Sequence, residues 1–405
     1  MTTPIAAKAA RRGLAAIPRG VWALGIVSLC MDLSSELVHS LLPLYMSIGL
    51  GASMLTIGVI EGIAEALALI VKVFSGVLSD IFRQRKSIVV VGYGLAALTK
   101  FIFPLAPTLG WVMTARFADR IGKGIRGAPR DALIADIAPS DVRGASFGLR
   151  QALDTVGAIG GPLLALGAMA YFAGNFKATF WVAVMPAVVC VAVLVFGVSE
   201  PAKVGGSNGK SQLRLADAKR FPASYWIVVA IAGVLTLARF SEAFLILRAQ
   251  NVGLHISLVP WVMVIMSTVY AVVAYPTGAA ADRGHGAQLL RSGLVALIAA
   301  DIVLAAATTP AFVFAGAALW GLHMGLTQGL LSALVAAAAP ADLRGSAFGV
   351  FNLVSGVALL IASALAGGLW DAFGPRFTFY AGAAFTVIAL IGLMTRGRHV
   401  GRLEA

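Results

Sequence analysis

The sequence predicts an all-α integral membrane protein whose twelve transmembrane helices form two pseudo-symmetric six-helix bundles. Three observations carry that reading. Hydrophobic residues make up 59% of the 405-residue chain and charged residues 12%, with a mean hydropathy of +0.90. Basic residues gather in alternate loops. A short segment also occurs twice, about half a chain apart: PSDVRGASFGL around Arg143 returns as PADLRGSAFGV around Arg344. A second pair, Gly76 with Asp80 and Gly278 with Asp282, stands at nearly the same offset. Two matches at one offset indicate duplication. In membrane proteins such repeats flank a substrate path at their interface.

A spanning helix needs about 20 apolar residues and satisfies its own backbone hydrogen bonds in lipid. The short alternating strands of a barrel are missing from the pattern. Hydropathy places the first six spans at 21–46, 54–78, 87–105, 111–135, 143–170 and 177–198. The second six lie at 222–248, 258–281, 287–306, 310–338, 343–370 and 376–396. The first apolar run is long enough to be a span rather than a cleavable signal. Residues 199–221 are the one extended polar stretch, rich in Gly, Ser and charge, and read as a linker. The expected division is an N-terminal bundle over 1–198 and a C-terminal bundle over 222–405. The chain's 45 glycines suit close helix packing in lipid.

A net charge of +13 raises the question of nucleic acid, and the placement of that charge answers it. Lys8, Arg11, Arg12 and Arg19 precede the first span. Arg83, Arg85 and Lys86 fill the loop after the second. Lys203, Lys210, Arg214, Lys219 and Arg220 fill the linker, and Arg396, Arg398 and Arg402 the tail. The loops near 47–53, 105–110 and 305–311 carry no Lys or Arg. This is the positive-inside pattern. It predicts a multi-pass protein of the cell's inner (plasma) membrane, with both termini cytoplasmic, a lipid bilayer as its surroundings and no nucleic-acid partner. Cys30 and Cys190 lie inside apolar runs, so no disulfide framework is expected. Gly122-Lys123-Gly124 lacks the spacing of a phosphate loop. With no nucleotide fingerprint, nucleophile constellation or metal-ligand cluster, the sequence predicts no enzyme, no cofactor and no metal.

The loop GVLSDIFRQRK between spans 2 and 3 supplies Gly76, Leu78 and Asp80, followed by Arg83 and Arg85. It resembles the signature G-x-L-x-D-x-x-x-x-R of the major facilitator superfamily, with a weaker copy at Gly278, Asp282 and Arg283. The resemblance runs over essentially the whole chain and implies the major facilitator fold. Charge-assisted hydrogen bonds from such a loop can latch two helices in one conformation and release them in another. Those basic residues also serve as topology determinants. In span 5, Gly148, Gly157 and Gly161-Pro162 resemble the packing motif of the superfamily's proton-antiporting exporters, with Ala165 and Leu166 where the motif has glycines. Ordinary small-residue packing is the other reading of that stripe. In span 4, Arg116, Gly122 and Gly124 match the superfamily's fourth-helix motif, which is linked to proton coupling. Arg120 replaces the motif's first glycine.

An ionisable group at the bilayer centre costs roughly 2.5–3.5 kcal/mol on insertion scales, so each one here asks for a partner or a wet cavity. Asp32, Glu36 and His39 share one face of span 1. Glu61 and Glu65 sit one turn apart in span 2, with Lys72 further on. Span 4 carries Arg116, Arg120 and Lys123 along one stripe, and span 5 carries Arg150 and Asp154. Counting rise from the helix ends puts Asp32, Arg120 and Asp154 near midplane. Asp32 or Glu36 against Arg116 or Arg120 is the expected proton-coupling pair, with Asp154 beside it. Glu65 with Lys72, and Arg150 with Asp154, read as structural pairs. His39 is expected near solvent, and Lys100 is expected to snorkel outward. Glu61, Glu65, Lys123, Arg239 and His323 are expected to line the substrate cavity. Trp261, Tyr270, Tyr275 and Trp320 read as interfacial anchors as readily as substrate contacts.

The expectation is therefore a monomeric secondary transporter: a proton-coupled exporter of a small organic molecule, anionic or zwitterionic, working by alternating access. A proton symporter importing an anionic nutrient is the alternative within that class, and a non-transporting membrane sensor the alternative outside it. The halves have diverged unequally. Gly161-Pro162 corresponds to Ala362-Ser363, and Arg116 and Asp154 to Ala317 and Ser355.

Overall fold

A computed structural model describes residues 16–82, 84–200, 220–340 and 343–400. Arg83 and linker residues 201–219 lie outside the described residues, as do the side chains of Asp80 and Asp282 and the basic cluster at Lys8, Arg11 and Arg12.

Apolar composition makes every crossing segment helical. In the first half these are α1 (Arg19–His39), α2 (Met54–Phe82), α3 (Arg85–Leu105), α4 (Leu109–Ile137), α5 (Arg143–Tyr171) and α6, in two pieces (Phe176–Val182 and Val184–Gly197). In the second half they are α7, also in two pieces (Ala223–Ala238 and Ala243–Asn251), α8 (Trp261–Ala280), α9 (Gly286–Ala306), α10 (Pro310–Ala338), α11 (Arg344–Phe373) and α12 (Pro375–Val400). Eleven helical segments of the described chain are long and apolar enough to cross a membrane by composition. The twelfth, α4, is long enough but carries too many charges to qualify that way. The twelve predicted spans and these twelve segments coincide.

Span 7 departs from the continuous helix that hydropathy predicts. Residues Arg239 to Glu242 leave the helix, and Arg239 caps the first piece with φ −104° and ψ 67°. Two charged residues flank the break, and the freed Ser241 N–H donates to Ser363 Oγ on α11 at 3.1 Å. A broken helix at membrane depth persists where other protein groups satisfy its backbone.

With an even number of crossings, the start of α1 and the end of α12 lie on one face of the molecule, here termed the terminal face. On the opposite, far face, α2 and α11 approach closely. A Cβ on Gly58 would stand 2.1 Å from the Ser363 carbonyl oxygen, and one on Gly367 2.2 Å from that of Met54. Asp371 on α11 accepts from the Met54 and Leu55 backbone N–H groups at 3.1 and 2.8 Å, capping α2 from the other half. A single apolar core joins Leu41, Phe103 and Phe180 of the first half to Phe244, Trp320 and Phe379 of the second. Toward the terminal face the halves keep separate cores, one around Val21, Met31, Tyr93 and Leu194 and another around Tyr225, Val228 and Val335. The halves are fused at the far face and apart at the terminal face.

Candidate functional site

The site grows from helix register. α2 and α4 run in the same direction, so residues one turn apart on one helix face residues one turn apart on the other. Arg116 Nη2 donates to Glu61 Oε2 at 2.5 Å and lies 3.5 Å from Glu65 Oε1. Arg120 Nη2 reaches Glu65 Oε1 at 3.2 Å. The result is a two-rung ion-pair ladder at membrane depth, with the Glu61 side chain fully buried and Glu65 partly open. His39 extends the ladder to α1. Its Nδ1 lies 3.3 Å from Glu36 Oε2 and its Nε2 3.9 Å from Glu61 Oε2.

α5 brings the remaining carboxylates together. A Cβ on Gly161 would stand 2.7 Å from that of Glu36, and one on Gly157 2.9 Å from that of Asp32. These two glycines of the predicted packing motif let α1 and α5 touch, and Pro162 is buried beside them. Gly148 faces open space and does no such work. Asp32 therefore has Asp154, Lys123, Arg126 and Glu36 as its electrostatic neighbours. Among the described residues Asp32 forms no ion pair, whereas Asp154 accepts from Arg150 one turn away, as its spacing predicts. Lys123 is exposed although its neighbours are these interior carboxylates, so the cluster opens onto space between the halves.

The second half meets this cluster through the α7 break. Glu242 lies within electrostatic range of His39, Glu36 and Glu65. Arg239 has Glu242 and Tyr270 as neighbours, and Tyr270 in turn has Asp154. His323 is fully buried behind Arg239, its Nδ1 donating to the Gly293 carbonyl at 2.8 Å.

Several sequence expectations change. Arg116 and Arg120 bind Glu61 and Glu65, not Asp32 or Glu36, because the parallel register of α2 and α4 sets the α2 carboxylates opposite them. Glu65 is accordingly not paired with Lys72, which has Asp131 as its carboxylate neighbour. Glu61 and His323 are buried and do not line the open space; Glu65 and Lys123 do. Lys100 does not snorkel. It is 1% exposed, and its Nζ donates to Asp119 at 2.7 Å across the α3–α4 interface. His39 is held inside the ladder rather than in solvent. Glu242, although charged and mid-span, was not among the expected site residues. The signal was there in Arg239 and Glu242, two charged residues in an otherwise apolar segment, since an ionisable group at membrane depth marks a functional site.

At the expected latch, Gly76 packs toward Ala128 on α4. Arg85 Nη1 donates to Asp136 at 2.5 Å and to the Ala132 carbonyl at 2.9 Å, tying the start of α3 to the end of α4. The backbone N–H groups of Arg85 and Lys86 donate to Glu200. Arg283 is exposed in the kink between α8 and α9, Ala281–His285, where Gly284 takes φ 86°. Among the described residues no group of three or more His, Cys, Asp or Glu is placed to hold a metal ion. Cys30 and Cys190 are free thiols.

Comparison with known proteins agrees with this architecture. The model of the Major Facilitator Superfamily matches residues 24–248 and 229–403. An uncharacterized MFS-type transporter of Methanocaldococcus jannaschii is 30% identical over 381 residues, covering 92% of this chain and 94% of the relative. Among solved structures, a mutant form of the peptide transporter POT superposes with a TM-score of 0.76 at 17% identity, over 95% of this chain and 96% of that one. The nucleoside transporter NupG gives a TM-score of 0.75 at 15% identity, over 93% and 99%. At those identities the two structures speak for the fold alone. The family match spans most of the sequence and the relative aligns nearly end to end, so the chain belongs to the Major Facilitator Superfamily and is a membrane transporter, not an enzyme.

Proposed function

We infer that this transporter is a proton-coupled exporter of a small organic molecule, working by alternating access in the inner membrane with both termini cytoplasmic. The observation that carries the reading is the ion-pair ladder of Glu61 and Glu65 with Arg116 and Arg120, set beside the unpaired carboxyl of Asp32. Buried charges of this kind are expensive to keep. Their arrangement around a space between two rocking halves suits proton exchange better than stability. On the positive-inside orientation the far face is external. The halves fused there and parted at the terminal face then correspond to a state open to the cytoplasm, from which an exporter collects its cargo.

Asp32 and Glu36 are the groups whose protonation biases the equilibrium between states. Arg116 and Arg120 hold the α2 carboxylates in place. Asp154, tethered by Arg150, completes the wall on α5. Lys123 together with Arg239 at the α7 break supplies positive charge to the open space, which supports an anionic or zwitterionic substrate.

The test begins with thermal-shift measurements of purified protein against organic anions and zwitterions, where a ligand raises the melting temperature. The hit is then offered to inverted vesicles with an acidic lumen. Accumulation driven by that gradient is the expected result. Asp32→Asn is expected to abolish it while leaving exchange without a gradient intact. Accumulation only when the gradient is reversed would assign import, and accumulation indifferent to pH would overturn proton coupling.

A further inference from the structure

Asp301 on α9 takes no part in the cluster described above. Its side chain is fully buried, and neither carboxyl oxygen has a hydrogen-bond partner. Its neighbours along α9, Ala300 and Leu304, belong to the apolar core shared with Phe240 and Phe379. Its surroundings are nevertheless fitted to it. A Cβ on Gly382 of α12 would stand 2.7 Å from Asp301 Oδ2 and 3.0 Å from the Phe240 ring, so the carboxyl and that ring both pack against the bare backbone of Gly382. Phe240 belongs to the non-helical break of α7.

Among the described residues, none of the charged groups on the elements packed around it bonds the carboxyl. On α10, His323 Nδ1 bonds the Gly293 carbonyl, two turns from Asp301 along α9, while its Nε2 is buried without a hydrogen-bond partner. On α7, Arg239 and Glu242 face the central cluster, and Arg248 donates to the Leu304 and Ala307 carbonyls at the end of α9. On α12, no acidic or basic residue occurs between Arg376 and Arg396. A charged carboxylate without a partner in such a place would cost several kcal/mol, and taking up a proton removes most of that cost. A metal cation would need several oxygen ligands, and among the described residues no group of three or more His, Cys, Asp or Glu surrounds this carboxyl.

We propose that the Asp301 carboxyl is a second proton-binding site, located in the C-terminal half, that holds a proton in this conformation and exchanges it when the α7 break moves Phe240 aside. The site is independent of the α2–α4 ladder and of the direction of transport.

Infrared spectroscopy of the full-length protein in lipid vesicles, with 13C-labelled aspartate, tests it. At neutral pH a carboxylic-acid C=O band carrying the isotope shift is expected. Asp301→Asn should remove a component of that band which Asp32→Asn and Asp154→Asn leave in place. Phe240→Ala should speed its hydrogen–deuterium exchange at least tenfold. If Asp301→Asn does not fold, Gly382→Ala serves instead, because its new methyl meets Oδ2 and must shift the same band. A labelled band missing at neutral pH, or one untouched by both Asp301→Asn and Gly382→Ala, overturns the proposal. Unchanged exchange in Phe240→Ala overturns the gating by α7.

Discussion

Asp371→Ala should shift the conformational equilibrium toward opening of the far face. The Asp371 carboxylate receives two backbone N–H groups at the start of α2, at 3.1 and 2.8 Å, and belongs to the opposite half. Those bonds exist only while the ends of α2 and α11 touch. Removing a helix N-cap costs about 1 kcal/mol, and the lost charge at the positive helix end adds about 0.5 kcal/mol at an exposed site. The sum, about 1.5 kcal/mol, corresponds to about a tenfold change in the ratio of the two states. Spin labels at Thr108→Cys and Thr309→Cys report it, since both positions are exposed loop ends at the far face of opposite halves. The native Cys30 and Cys190 are buried and would not compete for label. The longer-distance population should grow about tenfold relative to the shorter one, and high salt should lessen the difference from wild type. Ser53→Ala is the control, because Ser53 Oγ accepts from Thr56 N at 3.1 Å within its own half, and that cap survives in either state. Superimposable distance distributions for the parent and Asp371→Ala would refute the idea that this cap holds the far face shut.

Other outcomes follow from the same packing. Lys100→Ala removes the direct partner of the buried Asp119 carboxylate, leaving only the more distant Arg120, Arg126 and Arg116, and should lower the melting temperature clearly, costing up to about 3 kcal/mol of stability. Gly161→Val should abolish folded protein on size-exclusion chromatography, because the first added carbon already meets Glu36 Cβ at 2.7 Å. Gly148→Ala should keep the yield and raise the melting temperature slightly, since nothing lies within 4 Å of the added carbon and alanine favours a helix interior over glycine by up to about 1 kcal/mol. Arg116→Ala should destabilise more than Glu61→Gln, as measured by thermal melting. The first leaves a charge buried without its partner, and the second leaves a neutral amide that still bonds.

The spans and their order were legible because hydropathy is a local property, and so was Arg150–Asp154, whose spacing of four settles the pair on one helix. Pairs between helices were not legible. The sequence places Arg116, Asp32, Glu36, Glu61 and Glu65 at similar depths, and only the parallel register of α2 with α4 selects Glu61 and Glu65 for the two arginines. Lys100 reads as a snorkelling residue from its place near a helix end. Its partner, Asp119, is decided by how α3 turns back against α4. The α7 break escapes a hydropathy window because AFLILRAQN restores an apolar average just after Arg239 and Glu242. Its backbone is also satisfied by a residue more than a hundred positions away, Ser363.

That break gives the divergence of the two halves a physical meaning. Where the first half has Gly161-Pro162, which lets α5 close on Glu36, the second has Ala362-Ser363, and it is this serine that supports the α7 break. Where the first half has Arg116 in its ladder, the second has Ala317 in its apolar core. One repeat has turned its packing positions into a fixed charged wall, and the other has turned the same positions into an apolar bundle around a hinge. A charged wall holds its geometry because each rung penalises separation. A hinge in an apolar core moves cheaply because few polar bonds break with it. The arrangement assigns displacement mainly to the second half, so distances from α7 to α1 should change between states more than distances within the α2–α4 ladder.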